Sequence, residues 1–316
     1  MTTMEWDTES FAKIAAAGAE KSGMVKIPGR TFRMGSDHHY PEEGPAHLVR
    51  VQAFWMDKHP VTNAHFQEFV DATGYVTIAE KTPDSANYPD GLPELMHAGS
   101  LVFMPPPGPI GECDWSQWWR YRKGADWRHP SGPGSSICGL EDHPVVHVAY
   151  DDALAYARWA AKDLPTEAEW ELACRGGLDD AEYAWGSELA PEGRMMANYW
   201  QGQFPFQNLK LDGYEGTSPV SAFPANGYGL FDMIGNVWEW TSDTYAPRHG
   251  KGAQSCCGSS EPKTKGKFGQ KVLKGGSHLC AANYCMRYRP AARSPQTTDT
   301  SSCHIGFRCV IRDRQT

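Results

Sequence analysis

Past Gly176-Gly177 this sequence loses helical periodicity and does not recover it. The apolar residues of the remainder come in short runs, at 237–241, 271–273 and 307–311, which read as strands separated by turns. Long helices cannot supply the core of such a chain. Irregular segments must do so, and their ingredients are abundant: 32 Gly and 23 Pro to turn the backbone, 12 Trp, 13 Tyr and 12 Phe to bury area. Each large ring hides roughly 150–250 Å², so rings can pin loops that lack a hydrogen-bonded ladder. The expectation is one α+β domain, loop-rich and low in regular secondary structure.

The first half carries clearer local signals. Residues 24–36 read as strand, turn at Pro28-Gly29, strand, and residues 49–56 as a further strand. Thr62 is placed to cap a helix over 63–72, with Phe66, Phe69 and Val70 on one face and Gly74 ending it. Residues 151–162 have helical spacing. Thr166-Glu167-Ala168-Glu169 is a capping box, which predicts a helix from Glu167 that stops before Gly176. Between them, residues 77–138 are rich in Pro and Gly and hold Trp115, Trp118, Trp119 and Trp127, which predicts an ordered irregular insertion. With no repeat and no low-complexity linker, the domain is expected over 24–313, preceded by a loosely attached arm over 1–23.

Charge and composition narrow the partners. A net charge of −8 and no dense basic stretch argue against nucleic acid and are compatible with a cationic peptide. No run reaches the ~18 apolar residues of a membrane span. Glu5, Asp7 and Glu9 stand where a secretory signal is basic, so a cytoplasmic protein is expected.

Nine cysteines in a reducing compartment are not read as a disulfide framework, and an odd count leaves at least one thiol free. Cys280 and Cys285, in KGGSHLCAANYCMRYRP, lie five residues apart and would face apart on a regular helix or strand. They meet only if 281–284 turn sharply. Two facing thiols make a dithiol redox pair or a soft site for monovalent copper. Zinc would require two more ligands, for which His278 and His304 are the candidates.

GGSHLCAANYCMRYRPAAR followed by HIGFRCV resembles the C-terminal signature of the formylglycine-generating enzymes, the sulfatase-modifying factors. Further blocks agree in order, among them IPGRTFRMGS, FWMDKHPVTNAHFQEFV, KGADWRHPSGP, LPTEAEWELACRGG and GYGLFDMIGNVWEWTSD, so the resemblance spans about 24–310. It implies a C-type-lectin-like fold and a copper-dependent oxidase. Its substrate would be the cysteine of a Cys-x-Pro-x-Arg segment in an unfolded or nascent sulfatase, converted to formylglycine with molecular oxygen. The acting unit is expected to be a monomer.

Carried over, the resemblance makes Cys280 and Cys285 the Cu(I) ligands, with the substrate thiol as a third sulfur. Ser277 and Tyr284 match polar pocket residues, Trp238 a pocket tryptophan, and Arg287 either a shaping residue or a salt-bridge partner. Asn198, Tyr199, Asp212 and Tyr214 match one structural calcium site. Asp232, Gly235, Val237 and Glu239 match a second, where Asp232 replaces the usual Asn. Cys174 and Cys309 match cysteines that secreted relatives cross-link, but their partner positions are Ala157 and Pro290, so neither bridge can form. Cys113, Cys256, Cys257 and Cys303 receive no role. Two rivals remain: a non-catalytic binding module on the same fold, and an iron-dependent sulfoxide-forming relative, whose extra histidine motif is missing from the sequence.

Overall fold

The Pro28-Gly29 turn decides how the first strands are distributed. In the computed structural model, which describes residues 21–110, 114–250 and 268–313, β1 (Met24–Ile27) and β2 (Arg30–Met34) flank that turn. A Cβ on Gly29 would lie 2.4 Å from the Ala53 amide nitrogen, so the two chains can cross here only through glycine. The crossing also breaks the expected single strand over 49–56 into β3 (His47–Val51) and β4 (Phe54–Asp57). β3 pairs with β2, whereas β4 pairs antiparallel with β1 and with β11 (Val310–Arg312). One expected strand thus serves two sheets.

The capped helices form as expected. In α1 (Asn63–Thr73) the Thr62 side chain accepts the His65 amide, and Gly74 closes the helix in the left-handed region at φ +66°. In α3 (Glu167–Cys174) both halves of the capping box are made: Glu169 N–H to Thr166 Oγ1 at 3.1 Å and Thr166 N–H to Glu169 Oε2 at 2.7 Å. α2 (Tyr150–Trp159) ends three residues earlier than its spacing suggests. Ala161 turns to φ +53°, which sends Asp163 into a two-way bridge with the Val310 backbone. The arm expected over 1–23 lies mostly outside the described residues, as do Cys113, Cys256 and Cys257.

The insertion is ordered but less irregular than expected. It contains an antiparallel pair, β5 (Gly99–Phe103) and β6 (Trp119–Lys123), with short 3-10 turns around it. Trp118 and Trp127 are buried there, whereas Trp115 is 63% exposed and pins nothing.

The sheet that positions the site has the order β10-β7-β8-β9, with β7 (Trp238–Thr244), β8 (Gln270–Lys274), β9 (Arg293–Thr297) and β10 (Ile305–Gly306). β9 had no signal in the sequence because Pro295 interrupts it. The proline is tolerated since β9 is an edge strand. The strand expected over 307–311 is also revised. Phe307, Arg308 and Cys309 carry the chain from β10, beside β7, to β11, beside β4. That crossing buries Arg308 completely, with Nε 2.7 Å from Glu239 Oε2 and Nη2 2.8 Å from Glu239 Oε1.

Aromatic packing closes the core around these elements. Phe66 meets Trp127, Tyr156 and Phe307 at ring separations of 5.2, 6.0 and 6.4 Å. A separate apolar group of Trp118, Trp200, Phe204, Leu279 and Ala281 packs against the loop that holds the two cysteines.

Candidate active site

β8 ends at Gly275-Gly276, both in the left-handed region (φ +95° and +71°). A Cβ on Gly276 would meet the Arg287 carbonyl oxygen at 2.8 Å, so glycine lets residue 276 lie directly against residue 287. Inside that closed loop the turn required between the cysteines is made. Ser277 O accepts the Cys280 amide at 2.9 Å, and Ala281 O accepts the amides of Tyr284 and Cys285 at 3.1 and 3.0 Å. A neighbouring loop braces it: Trp200 N–H donates to Cys280 O at 3.0 Å, and Phe204 N–H donates to Asn283 Oδ1 at 3.3 Å.

The two thiols come together, hydrogen-bonded and free of any disulfide. Cys280 is buried and Cys285 only partly so. Burial, reinforced by the bond to Cys285, holds the Cys280 thiol well above its ordinary range. Accepting that bond draws Cys285 below the ordinary value, helped by the Arg287 guanidinium charge. The two thiols titrate as a pair, with Cys285 the more acidic partner. Burial raises Cys174 and Cys309 with no comparable help and pushes Cys303 up to about 11. A consequence follows for the metal-free protein near neutral pH: iodoacetamide, followed by peptide mapping, should modify Cys285 well before Cys174, Cys280, Cys303 or Cys309. Equal rates across the five would contradict the shared-proton arrangement.

Ser277 lies on the same turn as Cys280 and is fully buried, with its Oγ 3.2 Å from His304 Nδ1 and 3.2 Å from the Leu279 amide. Tyr284 is on the lip. It is 43% exposed, its ring stacked on Phe204 at 4.4 Å and edge-on to Trp118 at 6.0 Å, so it is not a core ring. Trp238 is buried in the same apolar cluster as Cys280, and its amide donates to His304 O at 2.9 Å. The Arg287 side chain acts at a distance. Its guanidinium pairs with Glu42 at 2.5 Å, lies 4.1 Å over the Tyr40 ring and also binds the Arg293 carbonyl, so the side chain reaches the thiols through its charge while the backbone amide supports Cys285 directly.

Two adjacent sulfurs, one facing a partly exposed side, suit monovalent copper with a position left for a third soft ligand. The four-ligand zinc site does not assemble. No group of three or more His, Cys, Asp or Glu side chains suited to a metal occurs among the described residues.

Three members of the first oxygen-rich set meet through hydrogen bonds, and in the second Asp232 lies within reach of the Glu239 charge. Asp212 accepts the amides of Tyr199 (3.2 Å) and Tyr214 (3.0 Å), and Asn198 Nδ2 donates to Gly216 O. Burial raises the Asp212 carboxyl, and no cationic side chain pairs with it among the described residues. In the second set burial pushes Asp232 up to about 6. Glu239 spends three of its roughly four lone-pair positions on Arg308 and Trp170 Nε1, which leaves one on Oε1 for a cation. The Asn198 carbonyl accepts the Asn236 amide at 2.8 Å and so joins the two sets.

Sequence reasoning missed His304 as a contact of Ser277, and missed the wall of Trp118, Trp119 and Phe204. His304 stood out in the sequence only as a possible zinc ligand, and its contact with Ser277, 27 residues away, left no local signal. A polar cavity of about 330 Å³, lined by Arg33, His39, Arg175, Glu182 and Arg289 among others, includes none of the thiol-loop residues.

Residues 10–313 match the family model described as the sulfatase-modifying factor enzyme 1-like domain. A formylglycine-generating enzyme of Mycobacterium tuberculosis (strain ATCC 25618 / H37Rv) is 55% identical over 290 residues, covering 91% of this chain and 97% of that protein. A formylglycine-generating enzyme of Mus musculus is 48% identical over 294 residues, covering 91% of this chain and 74% of the mouse protein. Among solved structures, PvdO from Pseudomonas aeruginosa superposes with a TM-score of 0.61 at 23% identity, covering 92% of this chain and 94% of PvdO, a likeness of fold alone.

Proposed function

The chain belongs to the sulfatase-modifying factor family, and on that premise we propose that it converts a sulfatase cysteine to formylglycine, with Cys280 and Cys285 as a copper(I) site and molecular oxygen as oxidant. The observation that carries this reading is the free, hydrogen-bonded thiol pair on a turn braced by the loop of Trp200 and Phe204, with Cys285 on its accessible side. Bound there, copper(I) supplies a soft centre for the substrate thiol and a route for electrons to oxygen.

The chain's own residues do the rest. Cys285, the more acidic of the pair, is the first to lose its proton and act as a ligand. The Gly275-Gly276 turn and the brace from Trp200 hold both sulfurs in one geometry, so no ordering cost arises when substrate arrives. Tyr284, exposed on the lip and stacked on Phe204, offers its ring to an incoming extended peptide. Trp118, Trp200 and Phe204 keep the floor dry, which strengthens polar contacts to the reacting atoms.

The test is direct. Copper-loaded protein, oxygen, a thiol reductant and a Cys-x-Pro-x-Arg peptide should give aldehyde by mass spectrometry. A peptide with Ala in place of the Arg should be converted less efficiently. No aldehyde from correctly loaded protein leaves the binding module on the same fold as the better reading.

We further propose structural calcium at Asn198, Tyr199, Asp212 and Tyr214 and at Asp232, Gly235, Val237 and Glu239, supported by the half-buried Asp212 and the buried Asp232 and Glu239, whose oxygens are not all committed. Stripping with EGTA should lower Tm, and calcium, but not magnesium, should restore it. An unchanged Tm with no calcium detected by elemental analysis would remove both sites. A cytoplasmic setting is proposed in keeping with the free Cys174 and Cys309.

A further inference from the structure

We propose that His304 is a positioning residue for the reaction at Cys280 and Cys285: it accepts the Ser277 hydroxyl proton and so fixes that hydroxyl in one orientation. The inference rests on the function proposed above and adds a residue to it.

The argument begins with where a buried proton can go. Ser277 has no exposed surface, and a buried hydroxyl requires an acceptor for its O–H. Its Oγ meets two groups. Leu279 offers an amide N–H at 3.2 Å, which can only donate. His304 offers Nδ1 at 3.2 Å. The hydroxyl therefore donates to Nδ1, and the proton of the neutral ring sits on Nε2. Burial, with His278 and His147 nearby, lowers the His304 pKa to about 3, so Nδ1 stays available as an acceptor across the working range.

The ring that receives this bond is itself held. His304 O accepts the Trp238 amide at 2.9 Å at the start of the parallel β10–β7 pairing, and the imidazole meets the Trp119 ring at 4.9 Å. Ser277 follows β8, on the other side of β7 in the same sheet. Acceptor and donor are thus placed by a shared sheet across 27 residues of sequence. With Leu279 on one lone pair and the proton directed at His304, one lone pair of Oγ remains uncommitted. Without His304 the hydroxyl would rotate, and its proton would compete for that position.

The experiment is a double-mutant cycle with a second readout that needs no metal. Wild type, Ser277→Ala, His304→Leu, the double variant and His304→Asn are assayed on the Cys-x-Pro-x-Arg peptide, with Tm measured for each. Loss of a group that orients another generally costs roughly 10–100-fold. His304→Leu should lower kcat by that factor with little change in KM, and the double variant should be no slower than Ser277→Ala alone. His304→Asn, whose amide sits near the Nδ1 position, should recover most of kcat. In copper-free protein labelled with 15N-histidine, the His304 Nδ1 resonance should be that of an unprotonated acceptor and should move in Ser277→Ala.

Independent, multiplying losses in the cycle, or a protonated Nδ1, would overturn the proposal while active wild type leaves the function standing. No aldehyde from wild type would instead overturn the function, and the catalytic part of this inference with it. Should His304→Leu fail to fold, the asparagine variant and the nitrogen spectrum still decide.

Discussion

Exchanging either Cys280 or Cys285 for serine is expected to reduce aldehyde formation by at least ~100-fold, because removal of a direct ligand should exceed the 10–100-fold typical of groups that only orient one. Serine nearly preserves shape, so the loss would report on donor chemistry. Its oxygen is hard, stays protonated near neutral pH and cannot replace a thiolate on monovalent copper. Stability should change by only about 1 kcal/mol, the usual net worth of one buried hydrogen bond. Single-turnover kinetics, copper stoichiometry and Tm on the same samples separate the effects. Near-wild-type turnover in both serine variants would mean that the chemistry lies elsewhere in the chain.

The largest expected loss of stability is at Arg308. Its guanidinium is fully buried and binds Glu239 through two nitrogens, while Nη2 also donates to the carbonyls of Phe231 (2.9 Å) and Asp232 (3.2 Å). Arg308→Leu would leave the Glu239 carboxylate buried with Trp170 Nε1 as its remaining donor. Breaking a buried pair from one side costs about 3–5 kcal/mol, chiefly through the uncompensated charge. Urea unfolding of calcium-stripped protein should show a loss of that size. The double variant Arg308→Leu, Glu239→Leu should lose less than the two single losses added together. A single-variant cost under about 1 kcal/mol would mean that water or a cation compensates Glu239.

Arg308 also shows why some of this molecule was unreadable in advance. In the sequence it sits in the apolar run of HIGFRCV, where a strand was the simplest expectation. The structure uses those residues to pass from one sheet to another, and the guanidinium fills the crossing. Its acceptors at Glu239, Phe231 and Asp232 lie 69, 77 and 76 residues away. Arg287 behaves alike: a motif places it beside the cysteines, yet its partner is Glu42, 245 residues away. The pairing of His304 with Ser277 belongs to the same class.

What the sequence determined by itself is local. Thr62, Gly74 and the Thr166–Glu169 box mark helix ends because capping hydrogen bonds span only a few residues, so donor and acceptor appear in one short window. The cysteine pair was legible for the same reason, since one turn and a flanking motif hold both sulfurs. Tertiary structure alone decided the split of 49–56 at the Gly29 crossing, the edge position that tolerates Pro295, the burial of Arg308 and the acceptor for the Ser277 proton. Each depends on groups brought together by closing long loops, and the energy that fixes them is desolvation, which exists only once the surrounding chain has packed.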